Sequence, residues 1–251
     1  MSYYGIIGKP LEHSYSPGFY KAKFSKSGLK DYRYQKFELN HIDEFPDLIT
    51  QNPDLKGLNV TSPYKEAVLP FLDILDKNAK FTGAANLIKI KHTSEGKKLH
   101  GFNTDVYGFE MSLLPLIKNK KLKALIFGTG GGSRAAEYVL KKNAITFEIV
   151  TRRPLKANQI VYWSLDKHTL KQYKLLINTT PLGMYPKDEE SLPIPYDYIT
   201  NKHIAYDMIY NPEETVFLKH CKQEGALTVN GLKMFLLQAE KNWEIWNSAK
   251  Y

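Results

Sequence analysis

Lys65 and Asp105 are two residues whose chemical types and positions suggest proton transfer. Each lies just after an apolar run, in the segments Asn59–Lys65 and Asn103–Gly108. A lysine beside an aspartate can exchange the proton that accompanies hydride transfer to or from a carbonyl group. Partial desolvation lowers the pKa of such a lysine, whereas a neighbouring carboxylate favours its charged form and fixes its orientation. The alternative is a surface lysine and a helix cap.

Ser14 and Ser16 are candidates for binding an anion. They lie two residues apart in the hydroxyl-rich loop Gly8–Pro17. In an extended loop, both hydroxyl groups can donate to one carboxylate. Serine also caps helices, and the position of Ser16 before Pro17 suits that role as well. We interpret His13 as structural, because the sequence supplies no partner for it as a general base.

The segment Lys121–Ala136 has the composition of a dinucleotide-binding turn. The apolar run Ala124–Phe127 leads into Gly128 and then into three glycines at 130–132, followed by small residues that suit a helix. Glycines adopt backbone angles closed to other residues, and they let a pyrophosphate approach the N–H groups at a helix N-terminus. A tight strand-to-helix connection without a ligand has the same composition, so the context must decide.

The end of the following strand indicates which dinucleotide is bound. Enzymes that prefer NAD usually have an acidic residue there, which bonds to the ribose hydroxyl groups. This chain has Thr151-Arg152-Arg153, and no acidic residue stands between Glu148 and Asp166. Guanidinium groups match the geometry of phosphate, so these arginines favour the 2′-phosphate of NADP. A solvated basic turn is the alternative interpretation.

Strands and helices must alternate to position these residues, and the pattern of apolar residues predicts that they do. Strands are expected at Tyr3–Gly8, Gly57–Val60 and Leu99–Phe102, and the candidate residues follow them. The carboxyl ends of parallel strands share one edge of a sheet, where residues from different loops converge. The fold class is therefore α/β. Asn103-Thr104-Asp105 is expected to cap a helix that runs to about Ile117.

A second series of alternating elements begins near Lys123. Its strands are expected to end at Asn178 and Asp207, with a helix at Glu213–Glu224 and a helix or helix pair at Gly231–Ala249. We therefore expect two domains. One comprises residues 1–104 together with 231–251, and the other comprises residues 105–230.

Length and composition limit the class of protein. The chain has 251 residues, and its net charge of +9 comes from 35 basic and 26 acidic residues. The lysines are dispersed and no nucleic-acid-binding signature accompanies them, so a solvated face is the preferred interpretation. No run approaches the roughly 20 apolar residues of a membrane span, and no signal peptide is evident. The single cysteine, Cys221, is expected to pack inertly in a helix and fits a reducing, cytoplasmic location.

Nine segments of the chain are similar, in order, to the motifs of one enzyme family. They are GKPLEHSYSP at Gly8–Pro17, NVTSPYK at Asn59–Lys65, GAAN at Gly83–Asn86, NTDVYG at Asn103–Gly108, GTGGGSRAA at Gly128–Ala136, TRRPLK at Thr151–Lys156, INTTPLGM at Ile177–Met184, DMIYNPEET at Asp207–Thr215 and NGLKMFLLQA at Asn230–Ala239. The chain resembles the shikimate dehydrogenases, nearly from end to end.

The resemblance implies an N-terminal α/β substrate domain and a Rossmann-type NADP-binding domain around a cleft, with the C-terminal helix returning to the first domain. It implies reversible, NADPH-dependent reduction of 3-dehydroshikimate to shikimate, a step in the biosynthesis of chorismate and the aromatic amino acids. It implies a small-molecule substrate, no metal, no nucleic acid or membrane partner, and a monomer or homodimer.

The resemblance also assigns roles by position. Lys65 and Asp105 match the catalytic pair, and Ser14 and Ser16 match the serines that bind the substrate carboxylate. The other positions that match substrate contacts are Thr61, Asn86, Tyr210 and Gln238. The positions that match cofactor contacts are Gly128, Thr129, Gly130, Gly131, Gly132, Thr151, Arg152, Arg153, Lys156, Met208 and Gly231.

Three departures from the family pattern do not touch the catalytic pair. Tyr20-Lys21 stands where many members have His-Asn, Thr151 replaces an asparagine, and Leu87 replaces a threonine. They bear on helix packing and on cofactor affinity.

Two alternatives accompany this interpretation. A relative that also oxidises quinate or accepts NAD differs by few contacts, because one hydroxyl contact can shift substrate preference. A non-catalytic sensor would bind the same ligand or cofactor, but both Lys65 and Asp105 are retained here.

Overall fold

The structure is a computed structural model that describes residues 2–94, 96–118 and 121–249. The chain divides into two compact units. The first contains the residues up to Thr104 together with those from Ala239 onward, and the second runs from Asp105 to Gln238. Which unit binds substrate and which binds cofactor stays a prediction at this point.

The first unit is a six-stranded mixed sheet with helices on both faces. Its strands are β1 (Ser2–Gly8), β2 (Tyr32–Glu38), β3 (Leu55–Val60), β4 (Ile74–Leu75), β5 (Leu87–Thr93) and β6 (Gly96–Phe102), and its helices are α1 (Ser16–Lys26), α2 (Phe45–Gln51), α3 (Tyr64–Ala67) and α4 (Lys77–Thr82). The strand order is β2-β1-β3-β5-β6-β4. β1 runs parallel to β2 and β3, and β4 runs parallel to β6, whereas β5 is antiparallel to both β3 and β6.

Local signals begin and end the helices of this unit. Pro17 lies in the first turn of α1, where its missing N–H costs no hydrogen bond. The Asp76 side chain caps α4 by accepting from the main-chain N–H of Ala79 at 2.7 Å. Gly83 ends α4 with a φ of 61°, a left-handed conformation that favours glycine. That turn directs the chain into the segment that ends at Asn86.

Two apolar clusters fill the faces of this sheet. One lies between the sheet and α2, α3 and α4, and includes Ile7, Phe45, Leu58 and Ile88. The other is aromatic, and its buried members are Tyr4, Tyr20, Phe24, Leu87, Phe102, Ile245 and Trp246. The last two come from helix α9 (Leu232–Asn247), whose C-terminal part belongs to this unit. Lys89 holds the end of that helix by donating through Nζ to the carbonyl oxygens of Ile245 and Ser248.

Tyr20, one of the three departures from the family pattern, is a core residue. Its ring is fully buried and stacks on Tyr34 with a centroid distance of 4.6 Å. Its hydroxyl donates to the carbonyl oxygen of Ala239 at 3.1 Å. Lys21 is exposed and Leu87 is fully buried in β5. The aromatic cluster therefore accommodates the larger ring of tyrosine.

The second unit is a fully parallel, doubly wound sheet. Its strands are β7 (Lys123–Phe127), β8 (Phe147–Thr151), β9 (Gln159–Val161), β10 (Tyr173–Asn178), β11 (Ile204–Asp207) and β12 (Leu227–Val229), and its helices are α5 (Asp105–Leu113), α6 (Gly131–Lys142), α7 (Lys167–Gln172), α8 (Val216–Gln223) and the first part of α9. The order β12-β11-β10-β7-β8-β9 is that of a Rossmann sheet, with its switch point between β7 and β10. The predicted α/β fold class is confirmed.

Alternation along the strands builds a core on each face of this sheet. Ala124 and Ile126 pack with α5 and α6, whereas Leu125 and Phe127 pack with α7 and α8. Cys221 is fully buried on the α8 side, and burial raises the pKa of its thiol to about 12. This environment fits the inert packing role that the sequence predicted.

Three predicted elements have different bounds in the structure. The first helix of the second unit ends at Leu113 and not near Ile117, because Pro115 lies in the 3-10 turn that follows. Asn103 does not cap it, since its Oδ1 has no hydrogen-bond partner among the described residues. Helix α8 begins at Val216 and not at Glu213, because the Thr215 hydroxyl accepts from the Leu218 N–H. The final segment is a single helix.

Among the helices of the described residues, none is long and apolar enough to cross a membrane.

Gly57→Ala should destabilise the first unit by about 1–3 kcal/mol, since added core volume forces neighbours to shift. A Cβ at this position would lie 2.6 Å from Cδ1 of Trp246 and 2.8 Å from the carbonyl oxygen of Ile88. Trp246 would then lose its 2.9 Å hydrogen bond to that oxygen. Urea denaturation measures the free energy of unfolding. Gly18→Ala is the matched control, because a Cβ there meets open space. Equal stabilities of the two variants would contradict this packing.

Candidate active site

The glycine turn follows β7 and has the backbone that a dinucleotide requires. Gly128 has a φ of 107°, which a residue with a side chain rarely adopts. Thr129 and Gly130 are exposed, and a Cβ on Gly130 would meet open space. Helix α6 begins at the next residue, Gly131, so the N–H groups of its first turn border this open space. The turn can therefore cradle a pyrophosphate.

Two further glycines allow close approach around Met208. A Cβ on Gly132 would lie 2.9 Å from Sδ of Met208, and a Cβ on Gly231 would collide with the Met208 main chain. Met208 is half-buried and follows β11 directly. The structure thus brings together three of the predicted cofactor contacts, which are far apart in the sequence.

A hydrogen-bonded threonine adjoins the glycine turn at the switch point of the sheet. Thr179 follows β10, and both its N–H and its hydroxyl donate to the carbonyl oxygen of Phe127, at 3.0 and 2.6 Å. A Cβ on Gly128 would lie 2.9 Å from the Thr179 hydroxyl oxygen. Thr179 therefore holds the end of β7 and limits the space beside Gly128. In the sequence, Thr179 was part of the motif Ile177–Met184 but was not predicted to be a site residue.

Asp207 is a buried carboxyl group that sequence reasoning did not select. Its Oδ1 accepts from Asn178 Nδ2 at 3.1 Å and from the Ile209 N–H at 3.0 Å, and its Oδ2 accepts from the Thr215 hydroxyl at 2.7 Å. Asn178 in turn accepts from the N–H and hydroxyl of Thr180. This network fixes the loops after β10 and β11, including Met208. The only indication of its role in the sequence was its position as an acidic residue at the end of an apolar strand.

Burial has a large effect on this carboxyl group. It raises the pKa of Asp207 from 3.8 to about 6, although its three hydrogen bonds favour the charged form and oppose the shift. Burial raises the pKa values of the neighbouring Tyr206 and Cys221 to about 12. Asp207 is therefore the group of this cluster that titrates between pH 4 and 7.

The basic turn after β8 presents two guanidinium groups. Arg152 and Arg153 are exposed, as is Lys156, whose N–H donates to Gln159 Oε1 at 3.2 Å. Thr151 ends the strand, and its hydroxyl oxygen accepts from the Arg153 N–H at 3.4 Å. An open glycine cradle beside a helix N-terminus and two exposed arginines one strand away fit the pyrophosphate and 2′-phosphate of NADP.

In the first unit, main-chain bonds join the loops that carry the predicted substrate contacts. Lys65 is half-buried in α3, and its carbonyl oxygen accepts from the Ala85 N–H at 2.7 Å. The Asn86 carbonyl oxygen accepts from the Val60 N–H at 2.9 Å, and the Thr61 N–H donates to Ile7 at 2.9 Å. Three loops at the ends of β1, β3 and α4 are thereby fixed to one another.

Ser14 and Ser16 lie on the loop and helix that follow β1. Ser14 is half-buried, and its N–H donates to the carbonyl oxygen of Leu11 at 3.2 Å. Ser16 is buried and begins α1, which has no side-chain cap. The same loop is held to the end of β3 through the Lys9 N–H, which donates to the carbonyl oxygen of Ser62 at 3.1 Å.

The remaining predicted contacts lie in the second unit. Asp105 is buried and begins α5, and the half-buried Tyr210 packs its ring 5.0 Å from that of Phe235. Gln238 lies on α9, where a Cβ on Gly108 would be only 3.1 Å from its Cβ. Glycine at 108 therefore lets α5 approach α9 closely, which brings the helix of Asp105 beside the helix of Gln238.

Comparisons with known proteins identify the family of the chain. The family model described as "Shikimate dehydrogenase substrate binding domain" matches residues 6–88. The shikimate dehydrogenase (NADP(+)) of Methanococcus aeolicus is 35% identical over 262 residues, which cover 98% of this chain and 92% of that protein. The chain belongs to the shikimate dehydrogenase family.

Solved structures of this family have the same fold. Shikimate dehydrogenase from Aquifex aeolicus is similar with a TM-score of 0.86 at 34% identity, covering 100% of this chain and 94% of that one. The shikimate 5-dehydrogenase of Thermus thermophilus, in complex with NADP(H) and shikimate, has a TM-score of 0.84 at 27% identity and covers 98% and 94%. The recognition of the family from nine motifs is confirmed.

Asp207→Asn should alter how stability depends on pH. The folded carboxyl keeps its proton up to about pH 6, whereas the unfolded one loses it near pH 3.8. The folded chain therefore binds more protons between these values, and its unfolding free energy falls as pH rises through them, by up to about 3 kcal/mol. Asparagine cannot titrate, so the stability difference, wild type minus variant, should decline from pH 4 to 6 and level off above it.

Urea denaturation between pH 3 and 7.5 measures this difference. Asp166→Asn is a control of opposite sign, because hydrogen bonds from Thr169 lower the pKa of Asp166 from 3.8. Wild type should gain stability over that variant as pH rises towards 3.8 and keep that gain above it. A pH-independent difference for Asp207→Asn would show that its carboxyl is not perturbed by burial.

Proposed function

We propose that this protein is an NADP-dependent shikimate dehydrogenase, which interconverts 3-dehydroshikimate and shikimate in the biosynthesis of chorismate and the aromatic amino acids. The observation that carries the proposal is the open glycine turn at the switch point, with Arg152 and Arg153 one strand away. This turn occurs in a chain that is similar to shikimate dehydrogenases over nearly its whole length. The reaction class is therefore reversible oxidation of an alcohol to a ketone.

NADP, when bound, supplies the acceptor or donor of the hydride at its nicotinamide ring. The cradle for its phosphates comprises Gly128, Thr129, Gly130, Gly131 and Gly132. Arg152, Arg153 and Lys156 neutralise the 2′-phosphate, and the Thr151 hydroxyl oxygen accepts from the Arg153 N–H. Met208 and Gly231 border the nicotinamide end, and the absence of a side chain at 231 lets the main chain pack closely against Met208.

Lys65 is the acid and base of the reaction, with assistance from Asp105. In the direction of reduction, the Lys65 ammonium group gives a proton to the oxygen of the substrate carbonyl as hydride reaches the carbon. In the direction of oxidation, the neutral amine takes the proton from the hydroxyl group. Proton transfer by a positioned side chain typically accelerates such a step by roughly 10²–10⁴-fold.

The other substrate contacts fix the ring in place. The hydroxyl groups of Ser14 and Ser16 donate to the substrate carboxylate, which suits two serines on one loop. Thr61, Asn86, Tyr210 and Gln238 bond to the hydroxyl groups of the ring. These groups distinguish shikimate from substrates with a different hydroxyl pattern, because a buried polar side chain left without its partner costs free energy.

A shikimate dehydrogenase that also accepts quinate or NAD is the nearest alternative. The basic turn favours NADP over NAD, because no acidic residue follows β8 to bind the ribose hydroxyls. A non-catalytic sensor of the same ligands is less well supported, since it would not need both Lys65 and Asp105.

We also infer a cytoplasmic location, which is supported by a single cysteine that is free and buried. We infer that the protein is a monomer or a homodimer.

Initial rates with shikimate and with quinate, each with NADP and with NAD, test this proposal directly. The absorbance of the reduced nicotinamide reports turnover. Shikimate with NADP should give the highest kcat/KM of the four pairs. A higher value for quinate would favour the alternative enzyme, and no turnover with any pair would favour the sensor.

Lys65→Ala should lower kcat by roughly 10²–10⁴-fold, because it removes the group that transfers the proton. NADP affinity, measured by fluorescence titration, should stay nearly unchanged. Lys80→Ala removes an exposed lysine of α4 and serves as the matched control for the loss of one positive charge. Near-normal turnover of Lys65→Ala would rule out its role in proton transfer.

Replacement of both Arg152 and Arg153 by alanine should raise the KM for NADPH much more than that for NADH. Only NADPH carries the 2′-phosphate, so only its binding loses the two guanidinium contacts. The paired variant Lys167→Ala and Lys171→Ala removes two exposed charges from α7 of the same unit and controls for bulk charge. Equal effects on the two cofactors would show that the arginines do not bind the 2′-phosphate.

A further inference from the structure

A buried series of hydrogen bonds leads from α1 to Asn86 in the first unit. Tyr20, Asn242, Thr104 and Asn86 are all buried, and Tyr20 and Asn242 are fully so. The Tyr20 hydroxyl donates its single hydrogen to the carbonyl oxygen of Ala239 and is also hydrogen-bonded to the Asn242 side chain. Asn242 must therefore be the donor in that second bond, through its Nδ2.

The orientation of Asn242 decides the next bond. With Nδ2 directed to Tyr20, its Oδ1 accepts from the Thr104 hydroxyl at 2.5 Å. That bond uses the only hydrogen of the hydroxyl group. The Thr104 Oγ1 also lies 3.1 Å from Oδ1 of Asn86, but it has no hydrogen left to give there.

Thr104 nevertheless holds Asn86 through its main chain. The Thr104 N–H donates to Oδ1 of Asn86 at 2.8 Å. The main chain of Asn86 is fixed as well, because its N–H donates to Phe102 and its carbonyl oxygen accepts from Val60. Two atoms of Thr104, its main-chain N and its Oγ1, therefore lie within hydrogen-bonding distance of the Asn86 side-chain oxygen.

We propose that Tyr20, Asn242 and Thr104 are positioning residues for Asn86, and that they keep its amide oxygen on the Thr104 N–H so that Asn86 offers only N–H donors to the substrate. The substrate hydroxyl at this position then binds through its oxygen, as an acceptor. The substrate part of this inference rests on the proposed function. We call these four residues the Asn86 relay.

The relay is built from a feature particular to this chain. Tyr20 stands where many members of the family have histidine, and its hydroxyl reaches both Ala239 and Asn242. Tyr20 also lies on α1, the helix that begins at Ser16. The relay therefore links the helix of a carboxylate-binding serine to the side chain proposed to bind a ring hydroxyl.

Thr104→Val removes the relay hydroxyl but preserves the side-chain shape and the main-chain N–H. The KM for shikimate should rise about three- to tenfold, which corresponds to one neutral hydrogen bond. Both kcat and the KM for NADP should stay within about twofold. Thr104→Ser restores a hydroxyl and should restore the KM. Tyr20→Phe, which removes the hydroxyl at the other end, should change the KM in the same direction.

The side-chain amide of Asn86 gives a second readout that does not depend on turnover. Its ¹⁵N–¹H signals can be assigned by their loss in Asn86→Ser. They should shift in Thr104→Val and in Tyr20→Phe, and stay in place in Thr104→Ser. Ser112→Ala is the matched control, because it removes a buried hydroxyl that bonds to Tyr206 in the second unit.

The outcomes separate this inference from the proposed function. An active wild type whose Thr104→Val and Tyr20→Phe variants keep both the KM for shikimate and the Asn86 signals would overturn the relay alone. A parallel loss of kcat and of NADP binding would also overturn it, since that pattern indicates a general loss of structure.

A wild type that does not oxidise shikimate would overturn the proposed function and the inferred contact between Asn86 and the substrate. The Asn86 signals would still decide whether the relay holds the side-chain amide. If Thr104→Val does not fold, Tyr20→Phe decides.

Discussion

Buried main-chain N–H groups at the carboxyl ends of the strands need acceptors once the chain leaves the sheet, and this requirement shapes the loops of each unit. An unsatisfied buried N–H costs about 1–3 kcal/mol. In the first unit, the Asn86 side chain accepts from Thr104. In the second, Asp207 accepts from Ile209, and Asn178 accepts from Thr180. Polar side chains at the ends of strands thus hold the loops that carry the predicted contacts.

Local patterns in the sequence were enough to predict the fold class and the form of the cofactor turn. Apolar runs that end in glycine or in polar residues identified the strands, and the glycines after Phe127 predicted the turn that the structure shows. The bounds of two helices were wrong for reasons that are also local. Pro115 stops α5 early, and the Thr215 hydroxyl caps α8 later than the apolar pattern suggested.

Long-range partners could not be predicted in the same way. Thr104 and Asn242 are 138 positions apart, and no periodicity or spacing joins them. From the sequence, Asp207 could be identified only as the end of a strand, because its partner Asn178 comes from a different strand and its pKa is set by burial that only the folded chain reveals. Tyr20 was recognised as a departure from the family, but its place in an aromatic cluster and its bonded hydroxyl needed the structure. The roles of Lys65 and Asp105 stay predictions.

We propose that this chain transfers hydride directly between NADP and the carbon of shikimate that bears the oxidised hydroxyl group. Shikimate carrying deuterium at carbon 3 tests it most directly, with the mass of the reduced cofactor measured after a single turnover. We expect the NADPH formed to contain one deuterium atom, with 3-dehydroshikimate as the other product. NADPH without deuterium, or no reduction of NADP, would contradict it.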